Sequence, residues 1–161
     1  MVSLSRADLV PDILRYMAKN YVAELSLFDD TIRWNENAWS ETIPYTYMMR
    51  TDNNREPVGF VTVRVLVRND GPGALYIDEM YVAPEFRRKG IALDAVRVLV
   101  RNWDNNVCLH VLSGNEPAKS FWDCVEERLH WARVIGHDDY GFAPLDIDTE
   151  FRVYKPIKIK R

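Results

Sequence analysis

Cysteine is scarce in this chain. Cys108 and Cys124 are the only two, too few for a disulfide framework and without the spacing of a metal site. They read as buried, reduced thiols. Histidine is equally thin: His110, His130 and His137 share no ligand spacing, so no metal centre is expected. No apolar run approaches the roughly 20 residues that cross a bilayer. The opening Met1-Val2-Ser3-Leu4-Ser5-Arg6-Ala7-Asp8 has no apolar signal core, so export is not expected. The expectation is a cytoplasmic protein with no membrane contact. A basic excess is missing too. The formal net charge is -3, which argues against a dedicated nucleic-acid binder. Repeats, linkers and low-complexity segments are absent. Apolar residues, by contrast, make up 47% of 161 positions. That suffices for a sizeable core, so residues 1–161 are expected to form a single domain.

One stretch organises the rest. Tyr76 to Val82 is rich in aromatic and β-branched residues, which predicts a strand, and Pro84 ends it. From Ile91, apolar residues at Ile91, Ala92, Ala95, Val96, Leu99, Val100 and Trp103 fall at helical spacing. Between them, Arg87-Arg88-Lys89-Gly90 places three cations and a Cβ-free residue at the start of that helix. A helix N-terminus carries unpaired amides and partial positive charge, which suit an anion. Glycine allows a bulky diphosphate to approach the backbone. The residues therefore read as a phosphate cradle fed by a strand. The spacing is neither the dinucleotide fingerprint nor a Walker loop.

Before this stretch, residues 7–26 predict a helix, with Val10, Ile13, Leu14, Met17, Tyr21, Val22 and Leu25 on its apolar face. Residues 27–42 predict a short second helix with loops. Strands are expected at 43–51 and 57–68, separated by a turn at 52–56, and Asn69-Asp70-Gly71-Pro72-Gly73 is a turn signal. After the helix of residues 91–103, Val107 to Leu112 reads as a strand parallel to 76–82, because a helix crosses between them. Asn115 can cap a further helix with Pro117 in its first turn. Ala118, Phe121, Trp122, Val125 and Leu129 would form its apolar face. A weak strand near 132–135, a clearer one at 150–154 and a solvated basic tail at 155–161 complete the chain.

Arg87-x-x-Gly90-x-Ala92 resembles the diphosphate loop of the GCN5-related N-acetyltransferases, the GNAT family, written Gln/Arg-x-x-Gly-x-Gly/Ala. Asn115-x-x-Ala118-x-x-Phe121-Trp122 is similar to the family's Asn-x-x-Ala/Ser-x-x-Phe-Tyr helix. The order of elements resembles the GNAT fold over nearly the whole chain. Tyr76 to Val82 and Val111-Leu112-x-x-Asn115-Glu116-Pro117 look most like the spermidine/spermine N-acetyltransferase branch. The resemblance implies an α/β (α+β) fold: a mixed central sheet of six to seven strands, with splayed parallel strands, flanked by about four helices. It implies acetyl-CoA as donor and an amine as acceptor, either a small molecule such as a polyamine or a protein amine. Homodimers are common in the family.

The resemblance also assigns roles. Backbone groups of Met80 and Val82 would bind the pantetheine arm. Arg87, Arg88, Lys89, Gly90, Ile91 and Ala92 would hold the diphosphate, and Asn115 and Lys119 would reach the cofactor. Trp34, Tyr76 and Trp122 would contact the acceptor, with Trp39 and Tyr45 as further candidate walls; for Trp34, Trp39 and Tyr45, local core packing is the competing role. A lysine-like amine, with a pKa near 10.4, is protonated at neutral pH and needs a base before it can attack a thioester. Asp78 and Glu79 are the carboxylates at hand, and adjacent strand residues face opposite sides. Alignment favours Asp78 as base and Glu79 as acceptor-binding or structural. The N–H of Val82 would stabilise the oxyanion, a contribution of roughly 3 kcal/mol.

One departure stands out. Trp122 occupies the position where the family carries a tyrosine as general acid, and an indole N–H does not transfer a proton in this range. Three readings stay open. The thiolate, with a pKa near 8.5, leaves without an acid; another tyrosine, Tyr140 or Tyr154, substitutes; or catalysis is lost and the fold survives as a CoA-binding or protein-interaction module.

Overall fold

The computed structural model describes residues 1–71, 73–135, 140 and 147–157. The expectations for Pro72, His137 and the last four residues of the tail lie outside them. In chain order the elements are β1 (Val2–Arg6), α1 (Pro11–Leu25), α2 (Glu36–Thr42), β2 (Thr46–Thr51), β3 (Gly59–Leu66) and β4 (Ala74–Val82). There follow α3 (Ile91–Val100), β5 (Asn106–Leu112), α4 (Glu116–Arg128), β6 (Ala132–Arg133) and β7 (Thr149–Lys155). The strands form one mixed sheet of order β1-β2-β3-β4-β5-β7-β6. This is the α/β class expected, with seven strands and four α-helices among the described residues.

Two compact units divide the chain, Met1–Val63 with Asp78–Arg101, and Arg64–Ile77 with Asn102–Arg161. In the first, α1 opens on Pro11 and buries Leu14, Met17, Ala18 and Val22 on one face. That spacing of three and four residues is the amphipathic signature, and Pro is tolerated in a first turn whose N–H would be unpaired anyway. Leu14, Met17 and Ala18 join Met48, Phe60, Tyr81 and Ala83 in one core. β3 runs so close to β4 that a Cβ on Gly59 would sit 2.2 Å from the Tyr81 carbonyl oxygen. Only glycine fits there.

In the second unit, Ala74, Tyr76, Cys108 and Val153 form a separate core. The parallel β4–β5 ladder runs from Ala74↔Asn106 to Ile77↔Leu109, as the helical crossover requires. β5 pairs antiparallel with β7 from Val107↔Tyr154 to Leu112↔Thr149. Asn115 caps α4, its Oδ1 accepting from the Ala118 N–H at 3.1 Å, and Trp122 and Val125 are buried.

Several expectations need correcting. β1 lies where the sequence predicts no element; five residues with a half-polar pattern carry too little periodicity, and pairing with β2 supplies the order. The first helix begins at Pro11, after a 3-10 turn at Ala7–Leu9. The strand expected from residue 43 starts at Thr46, because Pro44 sits in a 3-10 turn. α3 stops at Val100, and the Trp103 indole instead donates to the Asn106 carbonyl. Cys124 is exposed, on the outer face of α4, and only Cys108 is buried.

Candidate active site

The loop after β4 is built in steps. The Ala83 amide donates to the Val58 carbonyl, and a 3-10 turn, Pro84–Phe86, follows. Arg88 then takes φ 62°, and Gly90 takes φ 77°, ψ 4° as the residue preceding α3. The first helical bond of α3 runs from the Asp94 amide to the Gly90 carbonyl. Among the described residues, the amides of Arg88, Lys89 and Gly90 meet no acceptor in the chain. Those of Ile91, Ala92 and Leu93 belong to the first turn, which the helix cannot satisfy. Positive φ angles spaced this way gather successive N–H groups into an anion-binding concavity. Arg88 and Lys89 are exposed beside it. A Cβ built on Gly90 meets nothing within 4 Å, so the space in front of the backbone is open. The loop fits a diphosphate.

Arg87 behaves differently from its two cationic neighbours. Its amide donates to the Pro84 carbonyl, its Nε to the Val82 carbonyl at 2.7 Å, and its Nη2 to both carboxylate oxygens of Glu24 at 2.8 Å each. The guanidinium also lies 5.3 Å from the centre of the Tyr81 ring. The expectation that Arg87 contacts the cofactor therefore meets an exposed guanidinium already paired with Glu24 and the Val82 carbonyl.

On β4 the two carboxylates have separate surroundings. Burial holds the Tyr21 phenol on α1 well above its usual range, and the charge and hydrogen bonding of Glu79 push the same way, followed by the charge of Asp78. Glu79 thus faces α1, and strand alternation turns Asp78 to the other side. Tyr21 was read from the sequence only as part of an apolar face. Its ring packs against Trp39, Phe60 and Tyr81 at 5.8–6.2 Å; no spacing in the sequence could have joined α1 to β4. Trp34 and Trp39 stack at 5.8 Å with their planes 9° apart. Glu36 accepts from the Trp34 indole and from Arg15, and Lys19 lies 5.5 Å over the Trp34 ring. Both rings are half-buried, and both also line a small cavity beside α1. Tyr45 is 52% exposed.

In the second unit, the Tyr76 hydroxyl and His110 Nδ1 share a hydrogen bond of 2.9 Å, and the His110 ring lies 4.6 Å from that of Phe151. His110 has no ligand spacing in the sequence; parallel pairing of β4 with β5 is what unites it with Tyr76. The Lys119 ammonium approaches Glu116 at 3.4 Å and Glu150 at 4.0 Å. Trp122 is buried, its ring against Phe121. The two substitute tyrosines sit at the start of β5. The Tyr140 hydroxyl accepts from Asn106 Nδ2 at 3.0 Å. Tyr154 pairs with Val107, is fully buried, and its hydroxyl accepts from Arg152. Burial, opposed in part by Arg152, holds that phenol above its usual range.

The profile of the acetyltransferase (GNAT) family matches residues 11–124. None of the proteins of curated function matches the chain in sequence. Among solved structures, the fold is similar to a GNAT acetyltransferase from Staphylococcus aureus Mu50 (TM-score 0.65, 15% identity, 98% of this chain and 99% of that one). It is similar to diaminobutyrate acetyltransferase EctA from Paenibacillus lautus, in complex with its substrate and coenzyme A (TM-score 0.64, 14% identity, 100% and 98%). It is also similar to Arabidopsis thaliana Naa50, in complex with a bisubstrate analogue, CoA-Ac-MVNAL (TM-score 0.59, 20% identity, 97% and 99%). The spermidine/spermine branch does not figure among these likenesses. Family profile, sheet order and diphosphate loop agree: the chain belongs to the acetyltransferase (GNAT) family, enzymes that move an acetyl group from acetyl-CoA to an amine.

Proposed function

We propose that the chain, working as a single domain, acetylates the α-amine of a peptide or protein N-terminus by direct attack on acetyl-CoA, without a covalent enzyme intermediate. The observation that carries the acceptor class is the Tyr76–His110 hydrogen bond. An α-amine has a pKa near 7.7 and a lysine-like amine near 10.4, while imidazoles titrate near 6.5. An imidazole paired with a phenol is matched to passing on the proton of the first, once a carboxylate has taken it, and poorly matched to the second. Asp78 shares the Tyr76 face of β4 by strand alternation, so it is the carboxylate assigned to take the amine's proton, directly or through a water. Glu79, turned to Tyr21, holds structure. The amides of Arg88 to Leu93, with the Arg88 and Lys89 side chains, hold the diphosphate; Met80 and Val82 backbone groups bind the arm, and the Val82 N–H faces the developing oxyanion.

Acetyl-CoA, when bound, supplies an activated acyl group and a leaving thiol acidic enough, near 8.5, to need no acid from the protein. That suits a chain whose Trp122 is buried and whose Tyr140 and Tyr154 are engaged elsewhere. Support for a protein acceptor comes also from the fold's likeness to Naa50 with its peptide-derived analogue. A reducing, cytoplasmic setting suits two free thiols, one of them exposed. Among the described residues, no helix is long and apolar enough to cross a membrane.

The test is thiol release from acetyl-CoA with a panel of acceptors. It compares peptides with free α-amines, the same peptides N-blocked but carrying lysine, spermidine, and 2,4-diaminobutyrate. Acetylation of the α-amine, cut roughly 100-fold or more by Asp78→Asn and by His110→Ala, is the expected outcome. Turnover with spermidine alone would restore the polyamine branch. Tight CoA binding with no turnover on any acceptor would favour the non-catalytic module.

A further inference from the structure

The Glu24–Arg87 pair carries a consequence for cofactor binding that runs against simple electrostatics. Arg87 immediately precedes Arg88, a non-glycine residue at φ 62°. Such a backbone conformation persists only where the surroundings hold it. The loop's own backbone offers little: after the Phe86 and Arg87 turn bonds, no amide before Asp94 finds an acceptor among the described residues. Six N–H dipoles gathered on one side also disfavour one another until an anion arrives. The side-chain ties of the loop centre on Arg87, beside a Lys89 ammonium 5.6 Å over the Phe86 ring. Arg87 ties back to the Val82 carbonyl at the end of β4 and forward to Glu24 in the last turn of α1, with the Tyr81 ring beneath it.

We propose that Glu24 and Arg87 are positioning residues, a clasp that holds the diphosphate loop in its binding shape, so that an acidic side chain strengthens the binding of a polyanionic cofactor. This rests on the acetyl-CoA reading of residues 88–93. A preformed loop binds without first being ordered; releasing the clasp lowers the competent fraction, and the apparent Kd rises by the inverse of that fraction. The open groove of about 760 Å³ beside the clasp, lined by Glu24, Tyr81 and Phe86 among others, is not lined by Asp78 or Glu79 and is left out of the proposal. Two other pictures give the opposite sign for Glu24. If Arg87 were itself a phosphate ligand that Glu24 merely occupies, Glu24→Gln would free it and tighten binding. If only the field mattered, removing a negative charge near an anion would also tighten binding.

The experiment is equilibrium CoA binding at about 0.15 M salt, with a thermal melt of every variant. Glu24→Gln is expected to weaken binding roughly threefold to tenfold. Arg87→Gln should weaken it at least as much, and the double variant no more than Arg87→Gln alone. Glu85→Gln removes an equal charge from the exposed turn before Arg87; it should leave binding unchanged or slightly tighter. Glu24→Asp keeps the charge with a shorter reach and should fall between wild type and Glu24→Gln, a readout that survives if Glu24→Gln melts early. Unchanged or tighter binding by Glu24→Gln, or losses that multiply in the double variant, overturn the clasp. Gly90→Trp separates the two levels. Wild-type binding that this variant leaves intact sinks the loop reading and the clasp together, whereas binding that Gly90→Trp abolishes and Glu24→Gln does not weaken sinks the clasp alone.

Discussion

Gly90→Ala separates the two properties that a glycine brings to the diphosphate loop. The residue sits at φ 77°, ψ 4°, and a Cβ there would meet no atom within 4 Å. In the free protein the substitution therefore costs only the left-handed strain of an L-residue, about 1 kcal/mol. For a chain of this size that lowers Tm by roughly 2–4 °C. In the bound protein the same methyl group stands in the open space before the amides of Gly90 and Ile91. Losing one hydrogen bond to a charged group costs about 1.5–3 kcal/mol, a fall in CoA affinity of roughly 10- to 150-fold. The assay pairs a thermal melt with titration of CoA, and Gly90→Asn serves as a partner variant. Asparagine tolerates positive φ, so its Tm should fall less than that of Gly90→Ala while its affinity falls as far. Gly114→Ala is the neutral control, since its Cβ also meets nothing and its φ is not positive. A Gly90→Ala protein with the expected Tm loss and unchanged CoA affinity would refute the argument that phosphate fills the space before Gly90.

The native thiols should differ sharply. Burial pushes Cys108 up to about 12, while Cys124 is exposed, so an aromatic disulfide reagent at pH 8 should titrate one thiol in wild type and none in Cys124→Ser until denaturant is added. Two fast thiols would contradict the burial of Cys108. Alkaline stability should follow the same groups. Tyr21, Tyr81 and Tyr154 are all held above their usual range, with burial the largest cause, so the folded state binds their protons more tightly than the unfolded chain. Their contribution is complete below about pH 10 and is lost as pH rises from there through their raised folded values, and Cys108 adds a loss from about pH 8.5 upward. In urea melts between pH 8 and 11, Tyr21→Phe should flatten the decline above pH 10. An unchanged slope would remove Tyr21 from the account.

Local chemistry alone determined much of this protein. Arg87-x-x-Gly90-x-Ala92 between a β-branched run and an apolar helical period states strand, turn and helix at once, because each signal is carried within a few residues. Asn115 and Pro117 likewise announce the start of α4. Other features came only with the tertiary structure. The strand at Val2–Arg6 is too short and too polar to announce itself and is ordered by its partner β2. Tyr21 meets Glu79, and Tyr76 meets His110, through packing of residues 58 and 34 positions apart in the sequence, a separation over which spacing carries no information. The sharpest case is Arg87. In the sequence it is one of three adjacent cations, and the resemblance implies a cofactor role for all three. The fold brings Glu24 and the Val82 carbonyl within hydrogen-bond reach of one of them, which pairs that guanidinium within the protein and sets it apart from Arg88 and Lys89. Charge is written in the sequence; which neighbour it is spent on depends on where the chain returns.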